Sequence, residues 1–269
     1  MASFQSPIGV FDSGLGGLSV LKELALAMPS ENFVYLGDIA RLPYGTKSRV
    51  VVSKYSISCA NFLVGQGIKA LVVACNTASA LALPELQKSL GIPVMGVIEP
   101  GVKSALQLSH QTQNKQILVL ATEGTVKSEA YLKEFKNQGF QERVEQLACP
   151  LLVPLAEEGW FDHLITQKVI QTYLNSLGPL QQGILLLGCT HYPLLSGSFK
   201  KVLGEPAFIT HGAKVLSQEL RDLLSKKQIL NESRQPGTLT FYSTDQIRTS
   251  LPILNALFDK EISFSVVDL

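Results

Sequence analysis

Short apolar runs recur along the chain, each stopped by a polar or glycine-rich break and followed by residues at helical spacing. "IGVF" leads into "DSGLGG" and "LSVLKELALAM"; "FVYLGD" leads into "IARLPYGTKS" and "RVVVSKYSISCANFLVGQG". "ALVVAC" leads into "NTASALALPELQKSLG", "VMGVIEPG" into "VKSALQLSHQ", "ILVLAT" into "EGTVKSEAYLKEFKNQG" and "GILLLGC" into "THYPLL". Unbroken Val, Ile and Leu runs bounded by turns predict strands covered on both faces, as in a mostly parallel α/β sheet. Ligands of such sheets bind beyond the carboxyl ends of the strands, so the polar breaks should share one site edge. The units fall into two series with a seam near "VIEPG", and "FITHG" and "LTFYST" read as strands again. The expected fold class is α/β, with two similar domains, mostly parallel sheets and a cleft between them.

Composition narrows this only slightly. With 269 residues, 46% of them hydrophobic, the chain can form one large or two medium cores. Lys and Arg number 23 and Asp and Glu 22, a net charge of +1, so no basic field invites nucleic acid. The start shows no charged region followed by an apolar stretch, and no run approaches the ~20 residues of a membrane helix. The four cysteines form no C-x-x-C pair and are too few for a disulfide scaffold. A cytoplasmic protein with reduced thiols, no membrane partner and no nucleic-acid partner is expected. Cys189-x-His191 supplies only two metal ligands, so no metal site is expected.

Two of the cysteines stand in matching places. Cys75 and Cys189 each end an apolar run and each is followed closely by a threonine, Thr77 or Thr190. A strand end that opens a helix favours a thiolate. His191, two residues beyond Cys189, can exchange a proton with it or orient it. Cys59, inside a helical stretch, and Cys149, before Pro150, read as structural. Near the first strand end, Asp12 precedes Gly14, Gly16 and Gly17 in a tight turn whose N–H groups suit a carboxylate or a phosphate. Ser19 breaks the dinucleotide pattern there, and no Gly-Lys-Ser/Thr follows. As turn and cap residues, Asp12 and Ser13 would need no further role. The turn "PYGTKS" is by itself an ordinary loop. Paired thiols fit disulfide exchange, a cysteine hydrolase using one of them, or acid–base work on opposite faces of one carbon. In the last case one thiolate removes a proton while one thiol delivers another.

"DSGLGGLSVLKEL", "GDIARLPYGTKS", "ACNTASALALP", "GVIEPG", "LATEGTVKSEAY", "CPLLVPLAEEG" and "GCTHYPLL" together resemble the cofactor-independent aspartate/glutamate racemases, and most closely their glutamate-specific members. The motifs span most of the chain in order. The resemblance implies interconversion of L- and D-glutamate without a cofactor, with D-glutamate supplied to peptidoglycan. It implies Cys75 and Cys189 as the two catalytic thiols, serving the D- and L-enantiomers in turn. It makes Asp12 the acid beside the first, His191 the imidazole beside the second, and Glu157 a further site acid. Ser13, Pro43, Tyr44, Gly45, Asn76, Thr77 and Thr190 correspond to residues that hold the substrate. The implied domains are 1–97 with 208–269, and an inserted 98–207, assembled as a homodimer. No lysine suits a pyridoxal Schiff base: Lys22, Lys47 and Lys54 lie in helical or surface contexts. "ITHGA" departs from the acidic residue and serine frequent there, Ile39 stands where threonine is frequent, and the short start implies no activation by a cell-wall precursor. An aspartate racemase, or a non-catalytic protein that binds another enzyme, is the alternative.

Overall fold

A computed structural model describes residues 3–175, 183–204, 207–247, 251–258 and 262–269. The first half runs β1 (Ile8–Asp12), α1 (Leu18–Ala27), β2 (Phe33–Gly37), α2 (Arg49–Gly65), β3 (Ala70–Val73), α3 (Asn76–Ser89) and β4 (Val94–Gly96). α4 (Ile98–Thr112) leads into β5 (Ile117–Ala121), α5 (Glu123–Ser128), α6 (Ala130–Asn137), β6 (Val144–Ala148), α7 (Leu152–Glu157), α8 (Leu164–Asn175), β7 (Ile184–Gly188), α9 (Ser196–Leu203) and β8 (Phe208–Thr210). α10 (Ala213–Lys226) then returns the chain to β9 (Leu239–Ser243), α11 (Leu251–Leu257) and β10 (Ser265–Val266).

All strand pairings are parallel. One sheet has the order β10-β9-β2-β1-β3-β4 and the other β6-β5-β7-β8. Without the returning strands the two orders are the same, so β3 and β7 hold equivalent places. The expected α/β class with two sheets is what forms. Phe208–Thr210, just beyond the expected boundary at 207/208, pairs with β7 in the second sheet. The chain therefore leaves that sheet only after Thr210.

Burial follows the period of two that a pleated strand imposes. On β3, Ala70 and Val72 join one core with Ile8, Val10 and Tyr35, while Leu71 and Val73 join the core on the other face. On β7, Leu185 and Leu187 face one core and Ile184 and Leu186 the other. Carrying the parity two residues past Val73 puts Cys75 with Leu71 and Val73. The same step past Leu187 puts Cys189 with Leu185 and Leu187. α10 buries Ala213, Leu216, Leu220 and Leu224 at helical spacing against the α1 face of the first sheet. A buried ion pair anchors this return: Lys69 Nζ lies 2.5 Å from Glu31 and 2.8 Å from the Ile229 carbonyl, while Glu31 accepts from the Asn231 N–H. Among the described residues no helix is long and apolar enough to cross a membrane.

Candidate active site

The polar breaks converge where the carboxyl ends of the two sheets meet. Cys75 follows β3 and caps α3: its sulfur accepts from the Ala78 N–H at 3.5 Å and lies 3.5 Å from the Ser13 hydroxyl. Only 5% of the residue is exposed. Burial, and next the charge of Asp12, push its thiol up to about 12 against the help of Ser13 and the Ala78 N–H. The charge of Cys189 also reaches it, so the two thiols share one electrostatic site.

Asp12 closes β1 and is fully buried. Its carboxylate accepts from the Gly14 N–H at 3.0 Å and, across the cleft, from the Thr190 hydroxyl at 3.2 Å. Burial raises its pKa above the ordinary 3.8, although His191 and these donors act against the rise. The glycine turn exists because there is no room for side chains. A Cβ on Gly16 would stand 2.6 Å from Thr190 Oγ1 and 2.7 Å from His191 Nδ1, and one on Gly17 would strike Asp12. Tyr35 holds the turn from below by donating to the Gly14 carbonyl at 2.8 Å.

Cys189 follows β7, the equivalent strand of the second sheet, and is 6% exposed. His191 Nδ1 stands 3.8 Å from its sulfur, and the other ring nitrogen bonds Glu157 at the end of α7. Burial alone would lower the basicity of the imidazole. Cys189 and Glu157 outweigh it and hold His191 well above the usual 6.5. The histidine thus lies buried between a thiol and a carboxylate, and both favour its protonated form.

Asn76 and Thr77 begin α3 and are both buried. Thr77 shares its hydroxyl with Thr122 at 2.8 Å and Thr125 at 3.3 Å on the second domain. Gly45 meets the same Thr122, where a Cβ would come within 2.6 Å. A cavity of 270 Å³ opens between Pro43, Gly45 and Thr46 on one side and Thr122, Val153 and Glu157 on the other. A smaller one of 20 Å³ touches Asn76, Tyr131, Cys189 and Thr190. A larger groove of 840 Å³ along α1, α4 and α10 contains none of the expected residues.

The fold thus brings Asp12, Ser13, Cys75, Asn76, Thr77, Glu157, Cys189, Thr190 and His191 into one cross-domain network, with Pro43 and Gly45 at its mouth. Tyr44 differs in that its phenol turns into the first domain and bonds Asp38, itself held by Arg41 at 2.8 Å and Thr244 at 2.9 Å. Thr122, Thr125 and Tyr131, all in "LATEGTVKSEAY", join the site without a sequence pattern that marks them. Isolated hydroxyls carry no spacing signal, which is why only the fold reveals them. Among the described residues no cluster of His, Cys, Asp and Glu could hold a metal ion.

The Asp/Glu/Hydantoin racemase family matches residues 9–218. A glutamate racemase of Geobacter metallireducens is 45% identical over 238 residues, covering 88% of this chain and 87% of the relative. A glutamate racemase isoform from Bacillus anthracis has a solved structure that superposes with a TM-score of 0.90 at 37% identity, covering 98% of each chain. The glutamate racemase of Francisella tularensis, solved in complex with D-glutamate, gives 0.88 at 34% identity and again 98% of each chain. With its family match spanning most of the chain and its thiols at equivalent strand ends, this chain belongs to the Asp/Glu/Hydantoin racemase family.

Proposed function

We propose that this protein is a glutamate racemase that interconverts L- and D-glutamate by proton transfer between Cys75, Cys189 and the substrate α-carbon. The observation that carries the reading is the pair of buried thiols at equivalent strand ends, each with its own acid–base partner. One thiolate takes the α-proton from one face, and the opposite thiol delivers its proton to the other. The carbanion keeps the electron pair between the two events, so the product is the mirror image and the thiols have exchanged protonation states. The reverse reaction uses the same groups in exchanged roles.

An amino-acid α-proton is a weak acid, so the site must stabilise negative charge as it develops. Asn76, Thr77, Thr190 and the turn at Ser13 offer donors for the carboxylates, and burial strengthens each such bond. Asp12 and His191 serve as proton-management partners for Cys75 and Cys189. Because these donors come from both domains, closure assembles the site and excludes water. The reading includes a division into residues 1–97 with the returning segment and an intervening second domain. It also includes a cytoplasmic homodimer that supplies D-glutamate for peptidoglycan. Four free cysteines and the absence of a membrane-length helix among the described residues fit a cytoplasmic site; sedimentation would read the oligomer.

The test is incubation with L- or D-glutamate in D₂O with no cofactor added, followed by NMR and circular dichroism. Loss of the α-proton signal and decay of rotation to zero from either enantiomer is the expected result. Exchange with aspartate alone would transfer the assignment to that substrate. A folded, reduced protein inert toward both would overturn the racemase reading.

A further inference from the structure

Residues of three motifs, "GVIEPG", "LATEGTVKSEAY" and "GCTHYPLL", meet at one tyrosine. Tyr131, on α6 of the second domain, is 1% exposed. Its ring lies against Gly101 in α4 and Gly188 at the end of β7. A Cβ on Gly188 would stand 2.9 Å from a ring carbon, too close without a shift, and one on Gly101 would make a tight contact at 3.3 Å. Held in this cradle, the phenol reaches out of its own domain. Its oxygen lies 2.7 Å from Oδ1 of Asn76, the first residue of α3.

This bond decides which end of the Asn76 amide faces a ligand. An amide oxygen and an NH₂ group have nearly the same outline, and only the partner's chemistry tells them apart. Among the described residues the Tyr131 hydroxyl bonds Asn76 alone. As arranged, the phenol donates its hydrogen to Oδ1. With the amide reversed it would accept from Nδ2, and its own hydrogen would be buried without an acceptor, which is unfavourable. The Nδ2 end is therefore the one left for a ligand, and Asn76 borders the small cavity that Cys189 and Thr190 also line.

We propose that Tyr131 is a positioning residue for racemisation, holding Asn76 so that its amide N–H groups donate to a carboxylate of the substrate. The inference rests on the racemase reading above. Tyr131 does not itself move the substrate proton: burial, with the charge of Cys189 adding to it, pushes the phenol far above its ordinary value of 10.0. Since the bond joins the two domains, Asn76 is oriented only when they are together, and this links substrate grip to closure.

Tyr131→Phe keeps the ring in its glycine cradle and removes only the hydroxyl. The measurement is kcat and KM for L- and D-glutamate in wild type, Tyr131→Phe, Asn76→Ala and the double variant, with melting temperatures alongside. Tyr131→Phe should lower kcat/KM by about tenfold or more, chiefly through KM. The double variant should match Asn76→Ala within about twofold, because Tyr131 acts through Asn76. Kinetics of Tyr131→Phe within about twofold of wild type would overturn the proposal whatever the melting temperature. So would a double variant whose loss is the product of the two single losses. Wild-type protein inert toward glutamate would sink the functional reading and this inference together, whereas an active wild type with an unaffected Tyr131→Phe sinks the inference alone.

Discussion

The two thiol corners occupy the same place in their sheets and are equipped differently. Cys75 has uncharged partners, the Ser13 hydroxyl and a helix N–H, and its charged neighbour Asp12 opposes ionisation. Cys189 has an imidazole backed by Glu157, a pairing that favours the protonated ring. The topology repeats, yet the electrostatics do not. A racemase must treat two mirror-image substrates alike, but its two bases need not be alike, because an L-amino-acid chain cannot build a mirror-image site. The difference teaches that equivalent strand ends are equipped by unlike means: a helix terminus and a hydroxyl on one side, a histidine and a carboxylate on the other.

The sharpest way to break the comparison is to remove each thiol. Cys75→Ala and Cys189→Ala should each cut racemisation by roughly 10³-fold. Equal losses of racemisation, read by circular dichroism, would show both corners to be obligatory, and full racemisation in either variant would end the two-base mechanism. Next comes the contact between the corners. Gly16→Ala puts a methyl group 2.6 Å from Thr190 Oγ1, and the resulting displacement should lower kcat/KM by about 10²-fold. Unchanged kinetics would mean that the two domains do not need this close approach.

Asp12→Asn and His191→Asn test the partners rather than the thiols. Each should lower kcat/KM by about 10- to 100-fold. Because the enantiomers are equally stable, the two directions must lose kcat/KM equally. The asymmetry should therefore show as opposite changes in kcat for L- and D-glutamate between the two variants. Identical kcat patterns would mean that Asp12 and His191 serve both thiols in common. The smallest effect concerns stability. His191 is held above its ordinary 6.5 in the folded protein. Its contribution is full below that value and is lost as pH rises through the folded one. The melting temperature of wild type should thus fall relative to His191→Asn as the pH is taken from 6.5 into the alkaline range; a constant gap would leave the imidazole neutral.

Much of this site could be read before folding. β1, β3, β5 and β7 are central strands, buried on both faces, so each shows as a continuous apolar run. β6 is an edge strand, half-buried throughout, and its Glu145 and Gln146 hide it from the same criterion. β8 has only three residues, all partly buried, and nothing local tells which sheet will receive them. Tyr44 shows a limit of another kind. The loop that carries it is legible, but the phenol turns to Asp38, a buried carboxylate that also accepts from Arg41 and from Thr244, just past β9.

Sequence by itself determined the strand ends, the identity of the groups placed there and their parity, since strand period and apolar run length are local properties. The step from Val73 to Cys75 and from Leu187 to Cys189 aims both thiols before any domain has formed. Tertiary structure alone decided that Asp12 accepts from Thr190, that Glu157 braces His191 and that Tyr131 reaches Asn76. Those bonds join residues far apart in the chain and span two sheets. Their partners are chosen by the docking of buried polar groups that must be satisfied together, and no local pattern of residues encodes that choice.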